Sequence, residues 1–434
     1  MSLELLGVAG VGAVLALLAF GVPIAAALGL VGFVGLAIAI SPEAATIKAG
    51  VVVFQTISHY ELGVLPLFLL MAQLLFSAGA SRAFFDSAAK FVGHRPGGLA
   101  LAAIGGCAGF GSISGSSLAT AATMGLAALP EMRRQNYSPA LATGALAAGG
   151  TLGVLIPPSG AFIVYGIIAE QSIGRLFVAG IVPGLTQALF YMIAIYVLCK
   201  FNPSLGPPSP RATWRERFAS LASIADIVLL TLFVIGGLTV GWFTPTESAA
   251  LGCTGALLIC AWRRKLTWAT LQEALAITLR TSGMIYAIIV GALIFSTFVS
   301  ITGFADIIAE AVRIPHLGAL GVIVAMALVI LVLGMFLDGM AMMLLVTPIF
   351  LPIIMGLGLD PIWFGVFLIR TMEIGFITPP IGMNVYVIQS IAKDVPVTTV
   401  FRGVTPFLAA DFLHLALLIG LPALALFLPN LVGA

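Results

Sequence analysis

The residues best suited to chemistry in this sequence lie at four places where glycine, serine or proline interrupts an apolar run. GCAGFGSISGSS covers residues 106–117 and GGTLGVLIPPSG covers 149–160, while GMFLDGM covers 334–340 and EIGFITPPIGMN covers 373–384. A helix broken in apolar surroundings leaves carbonyl oxygens at the end of one half and amides at the start of the next. The first suits a hard cation such as sodium and the second a carboxylate. Ser112, Ser114, Ser116 and Ser117 add hydroxyl oxygens at the first break, and Asp338, Thr378 and Asn384 add oxygens in the second half. Oxygen ligands of this kind are what a hard cation takes. Asp338, Arg370 and Glu373 are ionisable groups in apolar stretches, where they are expensive and therefore functional candidates. Arg370 and Glu373 lie three residues apart, so mutual neutralisation competes with a substrate role for Arg370. Asp411 and His414 share a helix face and read as a structural pair, and Glu247, just after Thr244-Pro245-Thr246, as a first-turn carboxylate.

The elements that must hold these residues are membrane helices. Of 434 residues, 61% are hydrophobic and 8% charged, against roughly 25% charged in an ordinary soluble domain. A hydrocarbon core about 30 Å thick needs roughly 20 apolar residues per helix, and stretches of that length recur from Leu3 to Leu428. The first stretch lacks a basic n-region and a cleavage site before Pro23, so it reads as a retained helix rather than a signal peptide. Residues 200–217, with four prolines and Lys200, Arg211, Arg215 and Arg217, read as a solvated linker. It divides the chain nearly in two. A shift of 222 residues aligns Pro23 with Pro245, Pro130 with Pro352, Pro139 with Pro361, Pro157 with Pro379 and Pro158 with Pro380, which marks an internal repeat. Spanning helices are expected near 3–20, 23–40, 62–80, 139–170 (broken), 175–199, 222–241, 246–262, 282–301, 361–392 (broken) and 404–428. The stretches 97–130 and 317–356 read as re-entrant helical hairpins. The fold class is thus all-α and polytopic, with about ten spans, two re-entrant hairpins and two proline-broken helices. Five spans per half force opposite orientations, the inverted repeat of secondary transporters.

Charge placement tests that topology. With the linker inside the cell, Arg82, Lys90, Arg95, Arg133, Arg134, Lys200, Arg211, Arg215, Arg217, Arg263, Arg264, Lys265, Arg280, Lys393 and Arg402 all fall inside. Only Lys48, Arg175 and Arg313 fall outside, a positive-inside pattern that puts both termini outside. Stretches 46–58 and 267–280 correspond at the same shift and read as interfacial helices. A net charge of +2 without a basic, aromatic-interleaved patch argues against a nucleic-acid partner. Cys107, Cys199, Cys253 and Cys260 lack metal-ligand spacing and read as small hydrophobes. Gly115-Ser116-Ser117-Leu118, with His414 far away, weakly fits an intramembrane hydrolase. No HExxH, Walker A or GxSxG pattern occurs, so the chain is expected not to be an enzyme.

The runs GFGSISGSSLATAATMG, YSPALATGALAAGGTLGVLIPPSGAFIVYGIIAEQSIGRLFVAGIVPG, GWFTPTESAA and TPPIGMNVYV resemble the large membrane subunit of tripartite ATP-independent periplasmic (TRAP) transporters, over nearly all the chain. The resemblance implies a sodium-driven elevator transporter in a bacterial or archaeal cytoplasmic membrane. It also implies a small four-helix membrane subunit, a periplasmic substrate-binding protein and a small organic anion as substrate, with surrounding membrane lipid. No cofactor is implied beyond sodium as coupling ion. The small subunit is expected in trans, and a stand-alone carrier is the alternative. Residues 1–96 would form the first scaffold and arm helices, 97–199 the first transport unit, 200–221 a cytoplasmic linker, 222–316 the second scaffold and arms, and 317–434 the second transport unit. One sodium would lie near Ser112, Ser114, Ser116 and the Gly153–Pro157 break, and another near Gly334, Asp338, Gly339, Thr378 and Pro379. A substrate carboxylate would lie near Ser116, Ser117, Pro158, Arg370 and Asn384.

Overall fold

The structure, a computed structural model, describes residues 2–303 and 318–432. Every regular element among them is helical. The first half opens with α1 (Leu3–Ala19), α2 (Ile24–Ala39), α3 (Pro42–Ser58), α4 (Val64–Ser77) and α5 (Ala80–Val92). A hairpin of α6 (Gly98–Ser114) and α7 (Ser117–Arg134) follows, then a broken helix of α8 (Pro139–Gly150), α9 (Leu152–Leu155) and α10 (Gly160–Ile168), then α11 (Ile173–Phe201). After the linker helix α12 (Trp214–Ala222), the second half runs α13 (Ala225–Thr239), α14 (Pro245–Trp262) and α15 (Trp268–Ile301). Its hairpin is α16 (Ala319–Phe336) with α17 (Gly339–Gly356), its broken helix α18 (Pro361–Gly375) with α19 (Met383–Ile391), and its end α20 (Val397–Gly420) and α21 (Ala423–Val432). A helix or broken helix occupies each of the ten expected places. Among the described residues six helices are individually long and apolar enough to cross a membrane, or up to eight if the bent runs α8–α10 and α12–α13 each count as one span.

The repeat is structural. Shifting α7 by 222 gives the observed bounds of α17, and α6 maps onto α16 to within one residue. Contacts between the halves come in exchanged pairs. α2 packs on α15 while α4 packs on α14; α8 packs on α20 while α11 packs on α18; α10 packs on α17 while α7 packs on α19. Each pair becomes the other when the halves are swapped, which is how a two-fold interface behaves. Where α8 crosses α20 the backbones nearly touch, because a Cβ on Gly144 would overlap the Gly403 carbonyl and one on Gly403 would overlap that of Ala140. Small residues permit such crossings in membranes. Gly403→Leu is accordingly expected to cost about 1–3 kcal/mol or more, read as a lower thermal unfolding midpoint in detergent, whereas Leu at Gly420, with open space around it, should change little.

Two expectations need correction, and two features were not foreseen. The first interfacial stretch is a helix of its own, but 267–280 continues unbroken into the span as α15. The break after α3 survives in the first half because the freed Leu62 carbonyl accepts a hydrogen bond from Tyr286 of α15 at 2.8 Å. The expected 404–428 span divides at Leu421, which precedes Pro422 and leaves the helical region (φ −133°, ψ 76°). The linker is largely exposed, as a solvated segment should be, but it is also tied down. Leu205 and Gly206 accept backbone hydrogen bonds from Ser138 and Gly97, and Ser209 donates to Gly93, so it is laced across the ends of α5, α6 and α8. Its helix α12 begins with a reciprocal Thr213–Glu216 capping box, whose backbone and hydroxyl donors hold the Glu216 carboxyl below its usual range. Finally, α5 was not anticipated. Arg313 and most of the boundary near 316 lie outside the described residues.

Candidate functional site

Each hairpin turns in two residues. Gly115 (φ 59°) and Ser116 join α6 to α7, and only glycine takes such a φ freely. Leu337 and Asp338 join α16 to α17. Each turn then caps its outgoing helix, Ser116 by accepting from the Ala119 amide at 3.4 Å and Asp338 by accepting from those of Met340 (3.1 Å) and Ala341 (3.4 Å). Two helix N-termini, one from each half, therefore open onto one cavity of about 200 Å³. Ser114, Ser116, Ser117, Pro158, Asp338 and Gly339 line it, together with Glu373 and an apolar remainder that includes Phe68, Met284 and Phe376.

At the first tip the Ser114 hydroxyl lies 2.5 Å from that of Thr120 and donates to the Ser116 carbonyl at 3.3 Å. Gly153, in α9, presses its backbone against Gly111, and a Cβ there would overlap the Thr120 hydroxyl. In the second half the corresponding Gly375 packs on Gly334. The Pro157–Pro158 and Pro379–Pro380 peptide bonds are both cis.

Across the halves, the Ser117 hydroxyl donates to Glu373 Oε2 at 2.5 Å. Glu373 is fully buried, and its Oε1 has no partner among the described residues. No lysine, arginine or histidine lines the cavity among the described residues.

The structure does not bring the remaining candidates to this wall. Ser112 donates to the Gly109 carbonyl within its own helix. Thr378 likewise donates to Ile374, and neither it nor Pro157, Gly334 or Pro379 lines the cavity. Asn384 is buried at the crossing of α19 and α8, where its amide donates to the Ala147 carbonyl at 3.2 Å. Arg370 points away from the cavity rather than into it, and it does not pair with Glu373. Its Nη2 donates to Asp411 Oδ1 at 2.5 Å and its Nε to His414 Nδ1 at 3.3 Å, all three residues being buried. Gln187 donates to the same Asp411 oxygen at 2.7 Å. With Nδ1 accepting, His414 is the Nε2–H tautomer, and Nε2 donates to Thr186 at 2.9 Å. Asp411 and His414 are thus joined through an arginine from another helix. Thr244 and Glu247 form a capping box at the start of α14.

The sequence marked Glu373 as a functional candidate but assigned it to neither the ion sites nor the substrate site. Its position in the repeat corresponds to Thr151 of the first half, so symmetry gave no hint. What singled it out was an acid in a largely apolar helix, a setting it shares with Arg370.

Among the described residues no group of three or more His, Cys, Asp or Glu side chains could hold a metal ion. The polar part of the cavity lining consists of serine and threonine hydroxyls, with Thr281 from α15, backbone groups and two carboxyl side chains.

Comparison with known proteins bears on the fold and the family. Among solved structures, the YdaH transporter of Alcanivorax borkumensis superposes with a TM-score of 0.63 over 88% of this chain and 89% of that one, at 12% identity, which shows likeness of fold. The C4-dicarboxylate TRAP transporter large permease protein DctM of Pseudomonas aeruginosa is 36% identical over 88% of each chain. The sialic acid large permease protein SiaM of Vibrio cholerae is 34% identical over 86% of this chain and 87% of its own, and the ectoine large permease protein TeaC of Halomonas elongata 33% identical over 84% and 85%. The family model for the DctM component of tripartite ATP-independent periplasmic transporters matches residues 11–424, and the chain belongs to that family.

Proposed function

We propose that this chain is the large membrane subunit of a sodium-coupled secondary transporter that imports a small organic anion with the help of a small membrane subunit and a periplasmic binding protein. The observation that carries the reading is the single cavity onto which both hairpin tips open, Ser114–Ser117 from one half and Asp338–Gly339 from the other. Helix N-termini attract carboxylates, and the N-termini of α7 and α17 meet there. The same wall holds two acids and, among the described residues, no basic side chain, so an anion entering it needs a cation bound alongside. That is the physical basis for coupling, with serine hydroxyls and the carbonyls ending α6 and α16 as oxygen donors to sodium. Relatives named for a C4-dicarboxylate and for sialic acid favour an acid as substrate.

Two repeats meeting at one site support movement of that site between the two sides of the membrane, with α6–α11 and α16–α20 travelling against α1–α4 and α13–α15. Chain orientation follows the basic residues, with the linker in the cytoplasm and both termini on the opposite side of the inner membrane.

Uptake of labelled succinate and sialic acid into proteoliposomes tests the reading. With the small subunit and the binding protein present, accumulation of one of them is expected to require an inward sodium gradient. Uptake unaffected by sodium would refute the coupling, and uptake by the chain alone would refute the dependence on partners.

A further inference from the structure

A second cavity lies on the flank of the molecule, away from the hairpin tips. α5, α6 and α11 form an open apolar groove of about 560 Å³, walled by Phe84, Ala88, Leu101, Gly105, Met192 and Ile193. From Phe84 to Val92 it runs roughly 12 Å along α5 at 1.5 Å per residue. Its chemistry changes abruptly at one end. Arg95 lines that end itself. Lys200 stands 6.0 Å over the ring of Tyr196, a lining residue, and the Arg217 guanidinium stands 4.8 Å over the ring of Trp214 and 5.8 Å from that of Phe91, another lining residue.

Arg217 is 5% exposed, yet its Nε and Nη2 have no hydrogen-bond partner among the described residues. The nearby His94 imidazole is held below its usual range by burial first and then by the positive charge of Arg217, Arg211 and Arg95. Among the described residues none of Arg95, Lys200, Arg211 and Arg217 makes an ion pair with a carboxylate. The cluster thus holds several positive charges around an arginine already withdrawn from solvent, which is costly unless an anion completes it.

We infer that this groove is a binding site for an anionic phospholipid, with its phosphate between Arg95 and Arg217 and an acyl chain along α5 and α6. A free phosphate would use the cluster but leave the apolar wall open, whereas a neutral lipid would fill the wall but leave the arginines unpaired. Only an amphiphile with a negative head satisfies both. The basic end coincides with the linker, the side to which the charge distribution assigns the cytoplasmic surface, where anionic headgroups attract basic clusters between helices.

The test is lipid partitioning. The complex of this chain with its small subunit, purified in detergent, is offered equimolar phosphatidylglycerol and phosphatidylcholine and examined by native mass spectrometry and thermal unfolding. Retained phosphatidylglycerol is expected to exceed phosphatidylcholine several-fold and to raise the unfolding midpoint. Arg95→Gln, at an exposed and unpaired position, should abolish most of the preference. Gly105→Leu should lower retention of both lipids, since a Cβ there meets nothing closer than 3.7 Å and the longer side chain enters the groove. Equal retention of the two lipids would overturn the inference. So would an equal stabilisation by inorganic phosphate, or loss of the bound lipid whenever the small subunit is present, which would mean that protein covers the groove.

Discussion

Replacing Asp411 with alanine is expected to destabilise the chain by about 3–5 kcal/mol, because it strands the fully buried Arg370 without its carboxylate. The loss comes from the charge left behind rather than from the strength of the pair. The double variant R370M/D411L removes both charges and should recover most of the stability. Unfolding titrations in mixed micelles would separate the two. If the double variant is no more stable than D411A, packing at this crossing and not charge compensation governs it. Exposed pairs provide the control. Arg82 and Asp86, at 82% and 58% side-chain exposure, should contribute no more than about 1 kcal/mol.

Glu373→Gln is expected to reduce the initial rate of uptake by roughly 10- to 100-fold while leaving the chain folded. The substitution nearly keeps the shape of the side chain but puts an amide, which cannot ionise and offers one acceptor oxygen instead of two, where the Ser117 hydroxyl meets a carboxyl group. A hydrogen bond to a charged group is worth about 1.5–3 kcal/mol, and 1.4 kcal/mol is a factor of ten. Ser117→Ala should act in the same direction, and the two changes should be far from additive because they remove one interaction. Initial rates at saturating sodium, alongside unfolding midpoints, would read this out. Rates within twofold of the unsubstituted chain would mean that Glu373 serves only to pack α18 against α7.

The ten helical places and the repeat were legible because membrane helices announce themselves twice. Their apolar runs are set by bilayer thickness, and prolines that break helices cannot drift without breaking other elements, so the 222-residue register persisted. α5 left no such trace. ASRAFFDSAAKFV is amphipathic and charged, and by composition it resembles a loop between spans. The continuity of α15 was hidden for the opposite reason. Its counterpart in the first half is broken, and symmetry suggested a break that residues 281–285 do not impose.

The candidate site was half legible. Ser114, Ser116, Ser117 and Asp338 stand out as polar residues beside glycine within apolar runs, and all four line one cavity. Their meeting could not be read from spacing, since Ser117 and Glu373 are 256 residues apart. Arg370 illustrates the limit most clearly. A carboxylate three residues away on the same helix was the obvious neighbour, but that side of α18 faces the hairpin tip. Arg370 faces α20, and Asp411 lies there. Partner choice for a long side chain is decided by which helix packs against it, and only the assembled bundle supplies that.

In the proposed mechanism one cavity is reached from each side of the membrane in turn. Ser116→Cys places a thiol at the first tip, in a chain whose Cys107, Cys199, Cys253 and Cys260 have been replaced by alanine. A membrane-impermeant thiol reagent is then applied to right-side-out and inside-out vesicles, with and without sodium and substrate. The account predicts labelling from both sides in different conditions and protection by the transported anion together with sodium. Labelling confined to one side in every condition would contradict it.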